Sequence, residues 1–269
     1  MALYIVGAGV SSEYLTLKAL RAIMLADKVY IDTYTSIAPG VDELLVERLN
    51  PTAEIVRATR ATLEEKAHRL IEEARTQNIV VLVPGDPHYA TTHIAILVEA
   101  RQRGVEAHLV PGVSGIQAAV DQTGLQVYRF GRIATLVYPE EGLKPYSTLE
   151  AVAENYRRNL HSLVLLDLRL DQGKAMTIPE AVNILTSLER ELAEAGELEP
   201  FLAKTVMVGV ARAGLPEAKC VAGPPGVVAA ANYPPPPHTL IVTAPRLHPV
   251  EEEALRVLCE TVADTSEAE

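Results

Sequence analysis

Short branched apolar runs alternate with stretches of helical spacing through the first half of the chain. Leu3–Val6, Lys28–Ile31, Ile55–Val56 and Glu106–Val110 read as strands. Ile79–Val83 has no polar position at all and stops at Pro84-Gly85, the signature of a parallel strand buried on both faces. Apolar residues at helical spacing predict helices over Leu15–Leu25, Asp42–Leu49, Leu63–Arg75, Thr91–Arg103 and Ser114–Asp121, the fourth of them closed by Gly104. This alternation predicts a mostly parallel sheet covered on both faces. The second half predicts strands at Ile133–Val137, Ser162–Asp167, Thr205–Ala211, Cys220–Ala222 and Thr239–Thr243, with helices at Thr148–Asn159 and Pro179–Leu192. Its connections Gly223-Pro224-Pro225-Gly226 and Pro234–Pro237 are rich in proline. A second α/β domain with a mixed sheet fits that pattern, so the expected domains are residues 1–122 and 123–269, joined near Thr123-Gly124. The acidic tail after Val262 is expected to fray.

Hydrophobic residues make up 48% of the 269 and charged residues 22%, enough to bury a large core. No apolar run reaches the roughly 18 residues that cross a bilayer. Met1–Gly7 lacks a basic region and a small-residue cleavage site, so a cytoplasmic protein without a signal peptide is expected. The formal net charge of -11 argues against a phosphate-backbone partner and is compatible either with a basic protein partner or with solubility alone. The two cysteines, Cys220 and Cys259, are expected as reduced thiols, and no Cys/His cluster has metal-ligand spacing.

Three loops leave predicted strands in the first half. Gly7-Ala8-Gly9 begins a dinucleotide fingerprint, with Asp32 placed as its ribose-binding acid, but Ser12 stands where the third glycine belongs. A structural turn explains those glycines equally well. Pro84-Gly85-Asp86-Pro87 presents Asp86 at the carboxyl edge of the sheet, where open α/β sheets bind ligands; the plainer alternative is a turn in which Asp86 caps local amides. Beyond it, Thr91 or Thr92 is expected to cap a helix, and His93 to be a partly buried histidine. Pro111-Gly112-Val113-Ser114-Gly115-Ile116 aims free helix amides at whatever lies above the sheet. In the second half, Ala211-Arg212-Ala213-Gly214 ends a strand, and His238, after four prolines, is expected at the surface.

Together the glycine loop, P-G-D-P, the Gly/Ser loop and A-R-A-G resemble the tetrapyrrole-methylase superfamily. Within it, Tyr34-Thr35-Ser36, Ala90-Thr91-Thr92-His93, Thr123-Gly124-Leu125, Tyr128-Arg129-Phe130-Gly131, Tyr138-Pro139-Glu140, Leu166-Asp167 and Leu247-His248-Pro249-Val250-Glu251 are similar to the diphthine synthase family, nearly end to end. The resemblance implies two α/β domains with S-adenosyl-L-methionine in the cleft between them. It implies methylation of the amino group of a 3-amino-3-carboxypropyl histidine on translation elongation factor 2, by a homodimer. It places cofactor contacts on Val10, Asp86, Tyr89, Gly115, Ile116, Leu166, Ala213 and His238. A tetrapyrrole methyltransferase and an NAD-dependent oxidoreductase are the alternatives. For the amine's proton, His93 and Asp32 are candidate bases; for the substrate carboxylate, Arg57, Arg60 and Arg212 are candidates, each with a solvated or structural role as the alternative.

Overall fold

The computed structural model describes residues 1–261; the tail after Val262 lies outside them. Two compact units divide the chain: residues 1–118 with 169–173, and residues 119–168 with the described residues from 174 on.

The first unit holds β1 (Leu3–Gly7), α1 (Leu17–Met24), β2 (Lys28–Asp32), α2 (Glu43–Leu49), β3 (Glu54–Ala58), α3 (Ala67–Glu73), β4 (Ile79–Val83), α4 (Ile94–Gln102), β5 (Ala107–Val110) and the start of α5 (Gly115–Thr123). The sheet order is β3-β2-β4-β1-β5, parallel throughout. β4 lies at its centre, which is why its sequence is bare of polar residues. Ile79, Val81 and Val83 face Leu70, Ile71, Leu97 and Ala100 of α3 and α4. Val80 and Leu82 face the opposite way, toward Ala22, Ile23 and Val46 of α1 and α2. A period of two along one strand thus serves two helix layers.

The second unit holds β6 (Ala134–Leu136), α6 (Tyr146–Arg157), β7 (Ser162–Leu166), the short β8 (Leu168–Arg169) and β9 (Lys174–Ala175), α7 (Ile178–Glu194), β10 (Met207–Ala211), β11 (Lys219–Gly223), α8 (Pro225–Ala230), β12 (His238–Val242), α9 (Pro249–Leu258) and β13 (Glu260–Thr261). Its six-stranded sheet runs β13-β11-β10-β12-β7-β6 and is mixed: β10 and β12 pair antiparallel with their neighbours, while the β6–β7 and β11–β13 pairs are parallel. α6 and α7 pack Leu149, Val152, Ile178, Val182 and Leu185 against Leu136, Val164, Met207 and Leu240.

Several expectations need correcting. The helix expected from Thr91 starts at Ile94, and neither Thr91 nor Thr92 caps it. Ala90 takes a left-handed conformation (φ 57°), and the Thr91 hydroxyl donates to Pro87 O at 2.5 Å, so the threonines belong to the preceding loop. The helix expected over Leu63–Arg75 is interrupted by a π-turn at Ala61–Glu65. The proline-rich stretch after β11 is itself a helix, because proline fits a first helical turn where its missing N–H goes unneeded. Cys220 and Cys259 form a disulfide rather than two thiols. β13 pairs alongside β11, Val221 opposite Glu260, and that parallel register brings the two cysteines together across a sequence separation of 39. No helix among the described residues is long and apolar enough to cross a membrane.

Candidate functional site

In the first unit the loops after β1, β4 and β5 emerge side by side, because these strands are neighbours in the sheet. Gly9 N–H donates to Gly85 O at 3.0 Å, and Gly85 N–H to Gly9 O at 2.8 Å. A Cβ on Gly7 would lie 2.5 Å from Gly112 N, and one on Gly112 would lie 2.3 Å from Gly85 O. The glycines therefore let three backbones touch, a structural use that needs no nucleotide. Asp86 locks the same junction. It is buried; its Oδ1 accepts from His88 N–H at 2.8 Å and its Oδ2 from Gly112 N–H at 3.0 Å. The capping role foreseen as the plain alternative is present, and each oxygen keeps a lone pair. Val10 is half-buried just past the junction. Tyr89 is 55% exposed beside left-handed Ala90. Gly115 opens α5, a Cβ there would meet nothing within 4 Å, and Ile116 N–H is taken by the Ser114 hydroxyl at 3.2 Å. The first unit thus brings Val10, Asp86, Gly115 and Ile116 onto adjoining loops.

Asp32 is not free for a ribose. Its Oδ1 accepts from Tyr34 N–H at 3.0 Å and Thr35 N–H at 3.2 Å, and its Oδ2 from the Thr35 hydroxyl at 2.5 Å. His93 Nε2 lies 3.1 Å from that Oδ2, an electrostatic contact without an aligned hydrogen bond. Far from partly buried, His93 is 1% exposed, and Asp32 is 3% exposed, so neither touches a substrate as a base in this structure. The Tyr34 ring stacks on His93, 6.3 Å between centroids, and the Arg60 guanidinium covers Tyr34 at 5.3 Å. Burial and the Asp32 and Glu64 charges push the Tyr34 phenol up, keeping it a donor to Glu64 at 3.1 Å. The sequence marked Tyr34 only as part of Tyr34-Thr35-Ser36; the ring at the end of a strand, next to a buried acid, was its one signal.

In the second unit, Leu166, Ala213 and His238 gather at one end of the sheet. Ala211 pairs with His238 and Leu165 with Thr239, which sets the carboxyl ends of β10 and β7 beside the start of β12. His238 is buried, contrary to the surface position expected of it. Its Nδ1 accepts from Ile178 N–H at 3.2 Å, so Nε2–H donates to Pro234 O at 2.7 Å. Burial lowers its pKa and the ring stays neutral. With both nitrogens used, His238 can offer a ligand its ring edge or backbone but no proton chemistry. Arg212 sits at φ 52° and is likewise occupied: Nε donates to Glu217 at 2.6 Å and Nη1 to Pro236 O at 3.3 Å. An open groove lined by Glu150, Glu154, Arg157, Leu192 and Leu198 holds none of the predicted site residues.

The family model described as Tetrapyrrole (Corrin/Porphyrin) Methylases matches residues 2–226. A diphthine synthase of Staphylothermus marinus is 46% identical over 259 residues, spanning 96% of this chain and 93% of that protein. Another, of Methanocaldococcus jannaschii, is 36% identical over 264 residues, 97% of this chain and 100% of its own. A crystal structure of diphthine synthase superposes with a TM-score of 0.85 at 31% identity and covers 97% of both chains. Identity of this depth along almost the whole length places the chain in the tetrapyrrole methylase family, among the diphthine synthases, and makes it a methyltransferase.

Proposed function

We propose that this chain transfers methyl groups from S-adenosylmethionine to the amino group of a 3-amino-3-carboxypropyl histidine on translation elongation factor 2, forming diphthine. The observation that carries this reading is the 46% identity to a diphthine synthase over 96% of the chain. The acidic balance of the chain, -11, fits an encounter with a basic face of a protein partner.

The loops after β1, β4 and β5 fit the cofactor. Asp86 would accept from a hydroxyl or ammonium group, and the unfilled space at Gly115 leaves the head of α5 open to a carboxylate. Leu166, Ala213 and the ring edge of His238 would cover its apolar parts. S-adenosylmethionine supplies a methyl group already activated by sulfonium sulfur, so the chain's task is to hold the acceptor amine in line and keep water away. Positioning of this kind is worth roughly 7–11 kcal/mol. The cofactor would draw on Asp86 in the first unit and on His238 in the second, in a cytoplasmic homodimer. The buried Asp32 and His93 leave the amine's proton to solvent.

The test is a calorimetric titration with S-adenosylhomocysteine and, separately, NAD. S-adenosylhomocysteine should bind in the micromolar range or tighter, and Asp86→Ala should weaken it at least tenfold, on the order of 1.4 kcal/mol. NAD should give no heat, because Asp32 is already engaged. NAD binding without S-adenosylhomocysteine binding contradicts the proposal.

A further inference from the structure

The acceptor proposed above carries a carboxylate next to its reacting amine, and planar guanidinium groups recognise carboxylates best. Of the three arginines the sequence offers, two are committed. Arg57 pairs with Glu43 at 3.2 Å, and Arg212 is held by Glu217 and Pro236. Arg60 makes no ion pair among the described residues; its guanidinium lies over the Tyr34 ring, with its hydrogen-bonding edge unused.

From this arrangement we infer that Arg60 binds the carboxylate of the 3-amino-3-carboxypropyl group and selects acceptors that carry one.

Arg60 is the outer member of a layered stack whose base is buried. Asp32 lies innermost, His93 contacts it, Tyr34 stacks on His93, and Arg60 stacks on Tyr34. Tyr34 is pinned at both ends, by its N–H to Asp32 at 3.0 Å and by its hydroxyl to Glu64 at 3.1 Å. Glu64 also receives the Thr92 hydroxyl at 3.4 Å, which links the segment after β3 to the one after β4. The stack is therefore assembled from the carboxyl ends of β2, β3 and β4, the edge along which open parallel sheets bind ligands. Stacking on an aromatic face holds a guanidinium in place and leaves its N–H fork free. An arginine already oriented in this way loses less freedom on meeting a carboxylate than one swinging in solvent. The buried Asp32–His93 contact, which performs no chemistry on a substrate, thereby acquires a use as the footing of the stack.

The inference rests on the proposed function, and its test separates the two. Steady-state methyl transfer from labelled S-adenosylmethionine is measured on elongation factor 2 bearing the unmethylated 3-amino-3-carboxypropyl histidine, with wild type, Arg60→Ala and Arg60→Lys. Arg60→Ala should raise KM for the protein substrate 10- to 100-fold, about the 1.5–3 kcal/mol of a charged hydrogen bond. kcat and S-adenosylhomocysteine affinity should stay within about twofold. Arg60→Lys should recover part of the loss, since an ammonium supplies the charge without the fork. Wild-type KM in Arg60→Ala, or a fall in kcat with KM unchanged, overturns the assignment of Arg60 while leaving the acceptor intact. A wild type that transfers no methyl group to this substrate overturns the acceptor, and the inference with it.

Discussion

Glu251→Ala should destabilise the protein by about 3–5 kcal/mol, the loss expected when a buried ion pair keeps only one side. Glu251 occupies the N3 position of α9 and is fully buried. Its Oε1 accepts from Gln126 N–H at 3.1 Å and from His161 Nε2–H at 3.0 Å. Its Oε2 accepts from His248 N–H at 2.9 Å and pairs with Arg129. Four donors from three segments, at Gln126 and Arg129, at His161 and at His248, thus converge on one carboxylate, and alanine would strand all of them. Burial alone would raise the pKa of Glu251, but these hydrogen bonds and the His161 contact outweigh it and hold the carboxyl below its ordinary 4.5. Burial lowers His161 and His238 from 6.5. The signs run the same way. The unfolded chain takes up the histidine protons first, so stability should fall as pH drops below 6.5. A further loss should begin below 4.5, where unfolded Glu251 protonates before the folded carboxyl does. Urea denaturation of wild type and Glu251→Ala at several pH values reads both effects. A variant within about 1 kcal/mol of wild type would contradict the buried network.

Reducing the Cys220–Cys259 disulfide should lower stability by about 4 kcal/mol, the loop-closure estimate for a cross-link 39 residues apart. The bond joins the sheet at β11 to the exit of α9, and α9 carries Glu251, so both devices fix the same C-terminal segment. Thermal unfolding with and without a phosphine reductant should differ on the order of 10 °C. A Cys220→Ala/Cys259→Ala double variant should melt low and ignore the reductant. Equal melting of oxidised and reduced wild type would show that the cross-link constrains nothing.

The strands that place the site were legible because their burial is written into their sequence. Ile79–Val83 is apolar at every position because β4 lies at the centre of the sheet with helices on both faces. Gly7, Gly85 and Gly112 were legible as loop residues, but their mutual contact was not, since it depends on the order β4-β1-β5, which no local pattern encodes. The cysteine pairing was hidden for the same reason: it follows from the β11–β13 register. His238 looked exposed beside its prolines, yet those prolines fold back and Pro234 O accepts a hydrogen bond from its ring N–H. Asp32 looked like a ligand acid, and the loop after it consumes both of its oxygens within three residues. Local spacing predicts which residues end strands; the hydrogen bonds made by the adjoining loops decide whether their polar atoms remain available.

The central claim is methyl transfer to the modified histidine of elongation factor 2. The direct measurement is incubation of this chain with S-adenosylmethionine and elongation factor 2 carrying the unmethylated 3-amino-3-carboxypropyl histidine, followed by mass spectrometry of the peptide containing that histidine. The peptide should gain the mass of one or more methyl groups, and factor with an unmodified histidine should gain none. An unchanged peptide alongside methylation of an added tetrapyrrole would contradict the account.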